Sequence, residues 1–349
     1  MRLPLSRMLG VVAILVVTLA LAACGGLLPK NSSLRAQQSL HQSTITKLKE
    51  MGSSPAAAMM IRIFKQTNEF EVWKQTSSGT FKLFDTYKIC AYSGTYGPKI
   101  KEGDRQAPEG FYNITPGLMN PNSNYYLAFN TGFPNKFDQA LGRTGANLMV
   151  HGDCSSSGCY SMTDEGIAEI YALARESFNG GNTVIQMQVF PFRMTPKNLA
   201  LMADNQNLPF WMDIKEGYDR FELTHRPPKW DVCEKKYVFD LTTDSTPLDA
   251  SATCPARQGD SLLAALQTKE QADDAQFKVE VAAITDRQSK QTAADQQAEA
   301  AKQAGQARGQ AIGGFFSGVF GGGSAGTNAP GQSGNATVAP VPMPSPKGA

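Results

Sequence analysis

The 349-residue chain predicts an α+β fold dominated by strands, and its order of local patterns carries the prediction. Short runs rich in β-branched and aromatic residues follow one another from residue 59, separated by Gly, Pro and Asn turns, and helical periodicity enters only after residue 162. Strands first and helices late make an α+β domain, not a doubly wound sheet.

The first strands are "MMIRIFK" (59–65), "EFEVWKQ" (69–75) and "FKLFDTYKICAY" (81–92), the last two parted by the polar turn "TSSGT". Shorter ones follow at "FYNIT" (111–115), "YYLAF" (125–129) and "ANLMV" (146–150). A helix begins at "TDEGIAEIYALARESF": Thr163 is placed to cap it, acids fill its first turn, and Ile167, Ile170, Tyr171 and Ala174 share one face. The strand "NTVIQMQVF" (182–190) precedes "TPKNLALMADN", where Thr195 caps and Pro196 takes the first helical position.

Composition sets the domain limits. The chain is 41% hydrophobic and 18% charged with a net charge of +2, which excludes a basic nucleic-acid footprint and a strongly acidic partner. Residues 1–23 join two arginines to an apolar run ending in small residues, the pattern of a secretory signal and too short to span a membrane. "LAAC" followed by two glycines resembles the bacterial lipobox, which implies lipidation of Cys24, a lipid anchor in the membrane and, with Gly25 next, outer-membrane sorting in the periplasm. Residues 24–55 read as a polar tether, in part helical, and 56–257 as a catalytic domain with one sizeable core. Residues 258–310, rich in Ala, Gln and charge without proline, read as a polar helix that docks at its start and frays later. Residues 311–349 read as a Gly- and Pro-rich disordered tail, with "FFSGVF" as an apolar patch within it.

The chemistry concentrates in "VHGDCSSSGCYSM" (150–162), between a strand and a helix. Cys159 lies upstream of a helix N-terminus, where the dipole favours a thiolate. Gly158 lets the backbone bend so that N–H groups converge on an oxyanion. Of the three histidines, His41 falls in the tether and His225 precedes "RPP", which leaves His151 as the base for a thiol. A zinc reading of His151, Cys154 and Cys159 lacks an evident fourth ligand, and metal would quench the nucleophile, so no metal or cofactor is expected. Cys154 could close a small loop with Cys159. Alternatively Cys90 could pair with Cys154 and leave Cys159 free, and Cys233 with Cys254 is the most natural remaining bridge.

These residues resemble the YkuD-type L,D-transpeptidase catalytic family, whose signature is histidine-glycine followed by serine-histidine-glycine-cysteine. A second family element, Pro-x-Gly-x-aromatic, stands upstream as Pro108, Gly110 and Tyr112, and the block over residues 59–240 is similar to the YafK-like branch. Here only seven residues separate His151 from Cys159, Ser157 replaces the second histidine, and Ser161 stands where an arginine is common. The resemblance implies a YkuD-like α+β domain acting on peptidoglycan stem peptides in cell-wall biogenesis. Cys159 would attack the carbonyl at meso-diaminopimelate, His151 would move the proton, and backbone N–H groups at Ser157 and Gly158 would hold the oxyanion. The acyl-enzyme then meets an amine, giving transpeptidation, or water, giving an amidase that releases peptides or wall-attached proteins. Arg105, Tyr125, Tyr126 and Arg143 lie in the matching block as candidate substrate contacts. A lipoprotein that binds peptidoglycan without turning it over is the reading from a different class.

Overall fold

The computed structural model describes residues 32–156, 158–241, 246–257 and 261–320. Its elements run α1 (Ser32–Ala36), α2 (Gln42–Glu50), β1 (Met59–Phe64), β2 (Glu69–Gln75), β3 (Phe81–Lys88), β4 (Ala91–Tyr92), β5 (Gly110–Ile114), β6 (Met119–Asn120), β7 (Ala128–Asn130) and α3 (Lys136–Ala140). They continue with β8 (Met149–His151), β9 (Tyr160–Ser161), α4 (Asp164–Asn179), β10 (Ile185–Phe190), α5 (Pro196–Ala200), α6 (Leu208–Thr224), β11 (Trp230–Cys233), β12 (Lys236–Phe239) and α7 (Ser261–Phe320).

Among the described residues the strands make two five-stranded sheets and a hairpin. The first sheet has the order β3-β2-β1-β10-β5, with β1 and β10 parallel and its other neighbours antiparallel. Every residue of β1 is buried, because both faces of this sheet are covered. On one side Ile61, Ile63, Val72, Met187 and Val189 join Val150 and Tyr160 of the second sheet and Ile167, Ile170 and Leu173 of α4. On the other, Phe64, Phe111 and Phe190 meet Trp211, Ile214 and Tyr218 of α6 and Tyr237 and Phe239 of the hairpin β11–β12.

The second sheet carries the chemistry-bearing stretch. Its order is β4-β9-β8-β7-β6, with β8 and β9 parallel and His151 opposite Ser161. Thr163 caps α4 as expected, its hydroxyl accepting the Gly166 N–H at 3.0 Å. Two disulfides are formed, Cys90–Cys154 and Cys233–Cys254, and Cys159 is a free thiol.

Three sequence expectations change. The segment read as a tether is folded from α1 onward: Leu48 is fully buried, and Arg175 of α4 donates to the carbonyls of Ala36 (2.6 Å) and Gln38 (3.0 Å). An unread helix, α6, follows the strands; Pro209 sits in its first turn, and Gly217 interrupts its pattern. The last helix does not fray at residue 310 but continues to Phe320, so "FFSGVF" is helical, while residues 321–349 lie outside the described ones.

The chain divides into two compact units at residue 284. In the first, the start of α7 is held by Leu266, which is buried, and by a network in which Lys215 pairs with Asp273 (2.5 Å) and Lys269 with Asp219 (3.3 Å). Residues 285–320, in the second, are one helical stretch, exposed over 285–312.

Candidate active site

The parallel pairing of β8 and β9 sets the geometry. Val150 lies opposite Tyr160, so the preceding step brings Met149 beside Cys159, and the Met149 N–H donates to Cys159 Sγ at 3.3 Å. His151 is two register steps along the same seam. The thiol is partly exposed and points toward the carbonyl of Asn147 at 3.9 Å. Burial pushes the thiol pKa above its ordinary value, with the Met149 N–H acting in the opposite direction. The expected helix-dipole activation is therefore corrected: β9 separates Cys159 from α4, and the Gly166 and Ile167 N–H groups of its first turn are satisfied by Thr163 itself.

His151 is buried and held on both sides. Its Nδ1 lies 2.6 Å from the Gly152 carbonyl, and a carbonyl only accepts, so Nδ1 carries a proton, and in the neutral ring the lone pair falls on Nε2. The exposed ring of Tyr125 lies against the imidazole with centroids 4.8 Å apart. Glycine after the histidine is a steric requirement, since a Cβ at Gly152 would stand 2.5 Å from Asp164 Oδ1 and 3.1 Å from the Tyr125 carbonyl. Among the described residues no hydrogen bond joins His151 to Cys159.

The serine-rich turn is tied to the backbone of Cys159. Ser156 Oγ accepts the Cys159 N–H (3.1 Å), donates to the Cys159 carbonyl (2.6 Å) and meets the Ser93 hydroxyl at 3.1 Å. Its hydrogen-bonding capacity is thereby filled. Gly158 adopts φ +129°, which favours glycine, and Ser157 lies outside the described residues. Tyr126 (φ 66°), Asn147 (57°), Asp153 (68°) and Cys154 (40°) are also left-handed around β8 and its loops. Such backbone strain gathers at functional sites.

The two separated sequence motifs meet here. The Tyr160 hydroxyl, next to the nucleophile, donates to the Pro108 carbonyl at 2.7 Å. Gly110 is left-handed (φ +131°), and a Cβ there would stand 2.6 Å from the Tyr237 hydroxyl. The Tyr112 hydroxyl donates to the Glu109 carbonyl at 3.1 Å. That motif braces the site from below.

The candidate substrate contacts divide. Tyr125 is exposed and lies on the His151 ring. Arg105 is exposed at a left-handed position (φ 52°), after a turn in which Lys99 and Asp104 pair at 2.5 Å. Arg143 is corrected to a structural role: it is buried, pairs with Asp138 at 2.8 Å and lies over the rings of Phe137 and Phe210. Tyr126 is buried beneath the Arg35 guanidinium, 4.8 Å from its ring centre, and belongs to the wall of the site. Ser156 and Ser93 were missed by sequence reasoning, although Ser156 stands in the family's serine position. Cys24 lies outside the described residues, and among those described no cluster of His, Cys, Asp and Glu fits a metal.

The fold and site thus define a strand-rich α+β domain with a free cysteine and a tautomer-fixed histidine on adjoining parallel strands. The chain is 42% identical over 178 residues to "Putative L,D-transpeptidase YafK" of Escherichia coli strain K12, covering 51% of this chain and 72% of that protein. The same figures hold for its counterpart in Escherichia coli O157:H7. The chain belongs to the L,D-transpeptidase family. No family model matches it. Similar solved structures include the helical cell shape determining protein Pgp2 of Campylobacter jejuni (21% identity, TM-score 0.29, 42% of this chain and 54% of that one). Another is Bd1075 of Bdellovibrio bacteriovorus (21% identity, TM-score 0.28, 40% and 50%). The chain spans about half the length of these two structures.

Proposed function

We propose that the protein is an exported, lipid-anchored cysteine acyltransferase acting on peptidoglycan stem peptides. The observation that carries this reading is the Nδ1–H of His151 on the Gly152 carbonyl, which leaves Nε2 as a base beside the strand that presents Cys159. On substrate binding the thiol swings from Asn147 toward the imidazole, a contact that commonly tightens only in the loaded enzyme. Sγ attacks the carbonyl carbon at the L-centre of meso-diaminopimelate while Nε2 takes the thiol proton, and the imidazolium then protonates the departing amine. N–H groups of the turn at Ser157 and Gly158 hold the tetrahedral oxyanion. The thioester passes to an amine, forming a cross-link, or to water, releasing a peptide or a wall-attached protein. Cys24 carries the lipid, and the signal segment 1–23 directs the domain to the periplasmic face of the outer membrane.

Incubation of the purified protein with muropeptides tests the chemistry. Intact-mass analysis is expected to find a thioester on wild type and none on Cys159→Ala, and product analysis then assigns transfer or hydrolysis. Products that are the same for both proteins would leave the non-catalytic binding protein as the correct reading.

A further inference from the structure

A second concavity lies outside the Cys159 site. A groove of about 320 Å³ opens where the first residues of β3 and β11 approach the β5–β10 pair. Trp230 forms one wall, its indole edge-on to Tyr237 at 5.7 Å and its Nε1–H donating to Asn113 Oδ1 at 3.3 Å. Phe81 contributes apolar surface opposite. Asn113 and Gln186 are directly paired across β5 and β10, so their amides lie side by side. Gln186 is held at both ends of its amide: its Nε2 donates to the Pro228 carbonyl (2.8 Å), and its Oε1 accepts from Gln188 (2.8 Å).

What is left unspent is specific. Asn113 and Lys229 are exposed, and among the described residues the Asn113 amide N–H groups and the Lys229 ammonium have no partner. A fixed indole face beside unspent donors, with no acid in the lining, favours a ligand that offers an apolar face together with carbonyl and hydroxyl oxygens. It disfavours a cation. The groove holds a sugar ring and is too small for a folded partner.

We propose that this groove is a saccharide site that takes an N-acetylated amino-sugar unit of a glycan strand, stacked on Trp230 with its acetamido oxygen on Asn113 and Lys229. The reading of the Cys159 site supplies the source of that sugar, the strand from which the stem peptides branch.

The test uses the full chain carrying Cys159→Ala, titrated with the N-acetylglucosamine tetramer and followed by tryptophan fluorescence and calorimetry. Saturable binding is expected, weakened about tenfold or more by Trp230→Ala and by Asn113→Ala. Trp230 packs on Tyr237, so Asn113→Ala and Lys229→Ala, at exposed positions, keep the test independent of folding. No saturable binding, or binding that these variants leave unchanged, overturns the proposal, as does displacement of the tetramer by free stem tetrapeptide. A second arm compares thioester formation in a protein with Cys159 intact, from the tetrapeptide alone and from the disaccharide tetrapeptide. Asn113→Ala is expected to leave thioester formation from the tetrapeptide unchanged. Absence of thioester from both substrates in the wild type defeats the reading of Cys159, whereas the tetramer titration still decides the groove.

Discussion

Cys159 begins from an unactivated state. Burial holds its thiol above the ordinary range, so the resting sulfur is protonated at neutral pH, and the proposed attack requires its deprotonation. Iodoacetamide alkylation of the free protein should accordingly rise with pH and reach its midpoint above the value of an ordinary cysteine. A midpoint near neutrality would instead mean a preformed thiolate–imidazolium pair. Gly152 makes a separate demand on the same site. Gly152→Ala pushes a methyl into Asp164 and the Tyr125 backbone, and should lower turnover by about tenfold or more with a smaller change in KM, because His151 moves with its neighbour. Steady-state kinetics on muropeptides checks the split.

At the scale of elements, the short β4 and β9 strands owe their place to side-chain and covalent ties as much as to their ladder. Cys90–Cys154, the Ser161 hydroxyl on the Ala91 carbonyl (2.9 Å) and Ser93 against Ser156 fasten the β4 segment to the loop that bears Cys159. Replacing both Cys90 and Cys154 by serine should cost about 2–4 kcal/mol of stability and lower activity further than the loss of folded protein explains. Denaturant titration alongside activity per folded molecule separates the two effects. Much of this scale was legible in the sequence. The first three strands and the Thr163 cap follow from alternation and capping chemistry, whereas the sequence left Cys154 open to pairing with either Cys159 or Cys90, and the structure joins it to Cys90. What was not legible has physical causes. β9 is a two-residue strand made by tertiary pairing, with no periodicity to read. In α6 a glycine stands where helix propensity is poor, yet a Cβ at Gly217 would lie 2.4 Å from both Phe111 and Phe239, so close packing on β5 and β12 overrides it. Arg143 sits near a turn in sequence, and its burial against Asp138 depends on α3, whose single turn carries too short a pattern to announce itself.

Across the whole molecule, folding encloses charged groups that bind protons differently from the open chain. Lys74 is buried and donates to the carbonyls of Pro55 (3.0 Å) and Ala57 (2.5 Å). Burial pulls its pKa from 10.5 down to about 7, with Glu176 acting in the opposite direction. Between those values the unfolded chain holds a proton that the fold sheds, so this lysine makes stability rise with pH through that window. Wild type should therefore gain stability relative to Lys74→Met between about pH 7 and pH 9.5, read from denaturation midpoints. A constant difference between the two would remove Lys74 as the source.

The docking of α1 and α2 against α4 also fixes a length. If Cys24 bears the lipid, only eight residue steps separate it from Ser32, the first described residue of α1. Fully drawn out, those steps span about 28 Å. A domain anchored in that way would not roam the depth of the envelope; it would patrol the layer of wall nearest its own membrane, and its substrates would be whatever that layer presents.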